Sequence, residues 1–162
     1  MAFDSFLKIE GIDGESVDKT HPGEIEIESF SWGVSNTGSA SSGGGGGAGK
    51  AVLEDFHFTM ATSKASPSLM LAAATGRHLQ SATLTCRTST DRFEFLKIKL
   101  LDVLVSAYKI GAHAIDQGYS VLGGSENAPT DQMSLNFVKI DYLYTVQRTG
   151  ETVEATFTQI TT

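Results

Sequence analysis

Polar and apolar residues alternate along most of this chain. In "FDSFLKIEG" (3–11), Phe3, Leu7 and Ile9 alternate with Asp4, Lys8 and Glu10, and Phe6 falls out of step. In "AVLEDFHFTM" (51–60), Val52, Phe56, Phe58 and Met60 oppose Asp55, His57 and Thr59. In "GRHLQSATLTCRTS" (76–89), Thr83, Thr85 and Arg87 oppose Leu84 and Cys86. Successive side chains of a strand point to opposite faces, so period two predicts half-buried strands.

Three longer stretches change face partway along. "EIEIESFSWGV" (24–34) passes from Ile25 and Ile27 to Phe30, Trp32 and Val34. "FEFLKIKLLDVLVSAY" (93–108) passes from Leu96, Ile98 and Leu100 to Leu101, Val103 and Val105. "SLNFVKIDYLYTV" (134–146) passes from Leu135 and Phe137 to Val138, Ile140, Tyr142, Tyr144 and Val146. A slip of one residue turns every side chain over, so the first stretch needs a bulge near Glu28-Ser29 or burial on both faces. Three such slips predict strands that bend from one sheet into another, a curled and largely closed β architecture. A hairpin over 138–147 and 152–160 turns at "RTGE", with Gly150 left-handed.

One segment has helical character. "SPSLMLAAATG" (66–76) offers Ser66 as N-cap, Pro67 as first residue and Gly76 as terminator, with Leu69 and Met70 facing the core. The stretch 111–131 has no clear period and reads as an irregular loop. So does "SSGGGGGAGK" (41–50), at the centre of a Gly-rich loop over about 36–50.

Composition narrows the function classes. At 162 residues the chain is read as one domain, 1–162, with a single core. A net charge of −7 argues against nucleic acid and anionic membranes as main partners. The longest apolar run, "LMLAAA", is too short for membrane insertion. The segment "MAFDSFLKIE" has an acid where a signal peptide is basic, so synthesis in the cytoplasm and any export without a cleaved signal are expected. Cys86 is the only cysteine; it excludes an intramolecular disulfide and is expected to be buried and inert.

Candidate chemistry is sparse. Gly44, Gly49 and Lys50 match G-x-x-x-x-G-K, but Ala51 stands where a magnesium-binding hydroxyl is needed. No hydrophobic strand precedes the motif and no helix follows it, so a phosphate loop is excluded. Asp13, Glu15, Asp18, His21 and Glu24 crowd a turn-rich segment without calcium-loop or zinc spacing, which predicts a solvated loop. His57 lies near Asp55 in sequence but belongs to no nucleophile motif; His78 follows the helix terminus after Arg77, where a positive charge complements the dipole, and His113 has no evident partner. No catalytic residue, metal or cofactor is called for, and an enzyme is not expected.

An all-β chain with a glycine loop and no catalytic constellation points to an assembly or interaction protein. The blocks "FLKIEGIDGESVDKTHPGEIEIESFSWGVS", "GGGGGAGK", "SPSLMLAAATGRH" and "MSLNFVKIDY" follow in the order seen in the Hcp (haemolysin-coregulated protein) family, which this sequence resembles to about residue 145. The resemblance implies a mainly β fold, with two packed antiparallel sheets forming a partly closed β-barrel and one short α-helix at about 66–76. It also implies a homo-hexamer whose stacked rings form the hollow tube of type VI secretion. The implied partners are a spike protein, a contractile sheath and effector proteins held in the lumen. By the same resemblance the loop carrying Gly43, Gly44, Gly45, Gly46, Gly47, Gly49 and Lys50 packs on a neighbouring subunit or ring, where Lys50 is a candidate partner for a carboxylate. Ser29 and Ser31, opposite Phe30 and Trp32, are candidates to line the channel; the alternative is two ordinary surface serines.

Two other function classes stand against this one. A stand-alone β-sandwich binding module would expose loop aromatics, of which 111–131 has only Tyr119. A toxin-fused enzyme would need chain beyond the barrel, and the sequence ends about where the barrel should.

Overall fold

The first alternating stretch forms β1 (Phe3–Ile9), which sends Leu7 and Ile9 into the core. The structure is a computed structural model and describes residues 2–38, 50–112 and 129–159. After β1 come β2 (Ile25–Glu26), β3 (Ser29–Ser31), β4 (Val34–Asn36), β5 (Ala51–Leu53), β6 (Phe56–Ala61), α1 (Ala65–Thr75), β7 (His78–Thr88), β8 (Glu94–Gly111), β9 (Thr130–Asn136), β10 (Lys139–Thr145) and β11 (Thr152–Thr158). All strand pairings are antiparallel. Nine strands form one sheet with the path β2-β1-β7-β8-β9-β6-β3, from which β10 and β11 branch beside β8; β4 and β5 form a separate ribbon.

The three face changes are the corners of this sheet. Ile25 and Ile27 face the core, Glu28 and Ser29 are both exposed, and Phe30 packs inward again. The slip therefore falls at Glu28-Ser29, and it moves the chain from the β1 edge to the β6 edge. In β8 the slip falls at Asp102, a non-glycine residue at φ +57°. Before it, Ile98 and Leu100 are buried; after it, Val103 and Val105 are. The first limb of β8 pairs with β10 and the second with β9, so one long strand serves both halves of the barrel. The stretch 134–146 breaks at the same level into β9 and β10. There the Val138 N–H donates to the Leu101 carbonyl at 3.1 Å, and Phe137 and Ile140 are both buried.

The curled sheet encloses a core that includes Phe56, Phe58, Met60, Leu69, Leu84 and Leu135, all buried. Each such side chain contributes roughly 1.5–3 kcal/mol by leaving water. Cys86 lies within it as a free thiol, and burial pushes its pKa up. Val52, aligned in sequence with Phe56, is instead exposed, because β5 leaves the barrel for the ribbon before β6 begins.

Helix α1 starts at Ala65, two residues earlier than the capping signals suggest, and Ser66 is not its cap. The Ser66 side chain is turned instead toward the fully buried Asp131, which also accepts from Thr62 Oγ1 at 2.8 Å. The N-cap position is held by Lys64 without a side-chain cap, and the Ser63 hydroxyl just before it accepts from the Ala65 N–H at 3.2 Å. Pro67 remains in the first turn, where its missing N–H costs nothing. Gly76 ends the helix in the left-handed region at φ +68°. Of the expected apolar stripe only Leu69 plugs the core; Met70 and Leu71 are exposed.

The segment 11–24 is not the solvated loop its composition suggests. It folds back over the outward face of β1 and β7, and this explains Phe6. The His21 ring stacks on Phe6 at 4.6 Å, and Arg87 lies over the same ring at 4.7 Å. His21 Nδ1 and Nε2 each lie 2.7 Å from a carboxylate oxygen, of Glu24 and Glu94. Arg87 donates from Nη1 and Nη2 to the two oxygens of Asp18 at 2.9 and 2.6 Å. Gly14 is required here, since a Cβ would sit 2.4 Å from the Glu24 carbonyl oxygen.

Candidate functional site

Three surfaces remain once the core is accounted for. The first is the outward face of β3, β6, β9 and β8. Alternation sends Phe58 and Met133 into the core and leaves short polar side chains outside. Register then lines these up across four strands. Ser29 lies opposite Thr59, Thr59 opposite Gln132, and Gln132 opposite Lys109. In the adjacent row Ser31, His57, Ser134 and Ala107 align in the same way. The two rows line a shallow groove of about 360 Å³.

Hydrogen bonds between neighbouring strands order this wall. Ser29 Oγ and Thr59 Oγ1 are 2.6 Å apart, and His57 Nδ1 is 2.7 Å from Ser134 Oγ. Asp55, near His57 in sequence, is turned away from it. Its carboxylate accepts from Ser106 Oγ at 2.6 Å and from Asn136 Nδ2 at 3.0 Å. The wall thus carries a row of hydrogen-bonded polar side chains, and among the described residues no acid–base pair is assembled on it. Ser29 and Ser31 belong to it, both exposed. Gln132, Ser134 and Lys109 are wall residues that sequence reasoning missed.

The second surface is the β10–β11 hairpin. Ile140 pairs with Phe157, Tyr142 with Ala155 and Tyr144 with Val153, all on the side that carries Leu100 and Ile98 in the neighbouring β8. The apolar face of the core sheet thus continues outward past its cover. Tyr142, Tyr144, Val153 and Phe157 are 40%, 45%, 58% and 44% exposed. Strand β11 is exposed along its whole length and, among the described residues, pairs with β10 alone. Its turn is the expected one, with Gly150 at φ +74°.

The third surface is the β4–β5 ribbon, which pairs Val34 with Leu53, Ser35 with Val52 and Asn36 with Ala51. Val34 and Val52 are both exposed. At its open end Thr37 closes on Lys50: the Lys50 N–H donates to Thr37 Oγ1 at 3.1 Å, and the Thr37 hydroxyl donates to the Lys50 carbonyl at 3.3 Å. Lys50 is exposed. Gly43, Gly44, Gly45, Gly46, Gly47 and Gly49 lie outside the described residues, as do His113 and Tyr119. At the base of the ribbon Trp32 packs near Phe137, and its buried Nε1 has no hydrogen-bond partner among the described residues. Of the irregular stretch 111–131, Gly111 ends β8, and Thr130 and Asp131 already belong to β9.

Comparison with known proteins agrees across the chain. Residues 6–144 match the family described as "Type VI secretion system effector, Hcp". The chain is 40% identical over 150 residues to the protein hcp1 of Pseudomonas aeruginosa, covering 91% of this chain and 86% of that protein. The crystal structure of Hcp1 from Salmonella typhimurium superposes with a TM-score of 0.78 at 32% identity, covering 98% of this chain and 96% of that one. A type VI secretion system effector from Yersinia pestis gives a TM-score of 0.75 at 28% identity, covering 96% and 99%.

Proposed function

Because the chain belongs to the Hcp family of type VI secretion proteins, we propose that it is the tube subunit, assembling into hexameric rings that stack into a hollow exported tube. The observation that carries this reading is the uncovered apolar face of Tyr142 and Tyr144 on β10 and of Val153 and Phe157 on β11, a strand exposed along its length. An apolar face left exposed at the margin of a sheet marks an interaction surface, and an open edge invites another strand. A second copy supplies both the cover and the edge.

Within such a ring the hydroxyl-rich wall of Ser29 and Ser31 lines the channel, where effector proteins are held. The β4–β5 ribbon, with Lys50 at its open end, carries the glycine loop to a neighbouring subunit or ring. The finished tube works with a spike protein at its tip and a contractile sheath around it. Export by this route needs no cleaved signal, and no described helix is long and apolar enough to cross a membrane.

The double substitution Tyr144→Glu with Phe157→Glu tests the ring. Both side chains are nearly half exposed and outside the core, so the subunit is expected to keep its circular dichroism spectrum and melting temperature. Its negative-stain images are expected to lose ring-shaped particles. Rings as abundant as those of the unaltered chain would refute the interface.

A further inference from the structure

The wall of β3, β6, β9 and β8 differs in charge from the molecule around it. The chain carries a net charge of −7. Yet among the described groove-lining residues the only Lys, Arg, Asp or Glu is Lys109, which forms no ion pair among the described residues. Around it stand neutral groups that can donate hydrogen bonds: Ser29, Ser31, Thr59, Gln132 and Ser134. The carboxylate nearest in the network, Asp55, has both oxygens occupied by Ser106 and Asn136.

We infer that this groove selects polypeptide cargo presenting acidic side chains, with Lys109 as the charge that recognises them. The inference rests on the reading of this wall as the channel lining and adds to it the chemistry of what is held. A carboxylate laid across the two rows meets an unpaired ammonium and several hydroxyl and amide donors, and charge-assisted hydrogen bonds of this kind outlast neutral ones. A basic cargo surface meets like charge at Lys109. In a ring the same lysine recurs in every subunit, so modest contacts add through multivalency.

The test uses the purified chain and a fluorescein-labelled poly-glutamate peptide, with poly-lysine as its counterpart, read by fluorescence anisotropy. Poly-glutamate is expected to bind, and to bind more weakly as salt is raised, because exposed charges are screened. Lys109→Gln is expected to weaken that binding roughly three- to fivefold, and Lys109→Glu to weaken it further. Lys99→Gln, on the other limb of β8, is expected to change nothing. Equal binding of poly-glutamate by the unaltered and Lys109→Glu chains, no binding by the unaltered chain, or a preference for poly-lysine would overturn the inference. The whole groove lies within one subunit, so this comparison decides the charge preference whether or not rings form. The mass of the same samples decides the ring separately.

Discussion

Ile27 and Glu28 are adjacent in the chain but hydrogen bond to strands near opposite ends of the same sheet. The Ile27 N–H donates to the Ser5 carbonyl of β1 at 3.1 Å, and the Glu28 N–H donates to the Thr59 carbonyl of β6 at 2.8 Å. These two bonds draw the ends of the curled sheet together, although β2 and β3 do not pair with each other. The barrel is partly closed by a bend in one chain segment. The same bend sends Ile25 and Ile27 into the core while leaving Ser29 and Ser31 on the outward wall, so closure and the candidate site share a cause.

Leu69 is the one large apolar side chain that the helix buries, beside the smaller Ala65 and Ala72. Leu69 is fully buried, whereas Met70 and Leu71 are about half exposed. Leu69→Ala is expected to lower the unfolding free energy by about 2–4 kcal/mol through lost contacts and the cavity left behind. Met70→Ala and Leu71→Ala are expected to change it by less than about 0.5 kcal/mol. Urea denaturation of the three variants makes the comparison, and equal losses would contradict the assignment of faces.

Acid should loosen the segment over β1 and β7. Hydrogen bonds from the Arg87 guanidinium, then from Thr20, hold the Asp18 carboxyl far below its ordinary pKa of 3.8. A carboxylate depressed on folding contributes stability that is complete above 3.8 and is lost as the pH falls below it toward the folded-state pKa. Asp18→Asn is therefore expected to be less stable than the unaltered chain at neutral pH, with the difference shrinking in acid. Melting temperatures measured from neutrality downward check this. Parallel curves would mean that the pair carries no pH dependence.

Shortening the glycine loop separates stacking from ring formation. Thr37 and Lys50 close the ribbon on either side of 40–48 in sequence, so removal of those residues is expected to leave the barrel and its hairpin face intact. Ring-sized particles should persist in electron micrographs while end-to-end stacks become rare. Stacks of undiminished length would exclude a role for the loop between rings.

The strands and their corners were legible because period two is a local property, and a slip in it marks a bend wherever it falls. Glu28-Ser29 and the pair Leu101-Asp102 are both visible in this way. Other features depend on distant partners. Phe6 breaks its pattern because His21 and Arg87 cover it, and nothing near Phe6 in sequence says so. Ser66 carries a local capping signal that Asp131, 65 residues away, overrides. The wall joins Ser29 and Ser31 to Thr59, Gln132 and Lys109 through the register of four strands, which alternation alone does not specify. Tyr142 and Tyr144 alternate as buried residues do; their exposure reflects where the rest of the fold ends, not their own sequence.

The most direct measurement is the absolute mass of the purified chain in solution by multi-angle light scattering, with negative-stain images of the same peak. A mass near six times 17.2 kDa, with ring-shaped particles, is expected if the β10–β11 face is covered by a second copy. A mass of 17.2 kDa at every concentration examined, with no rings, would contradict it.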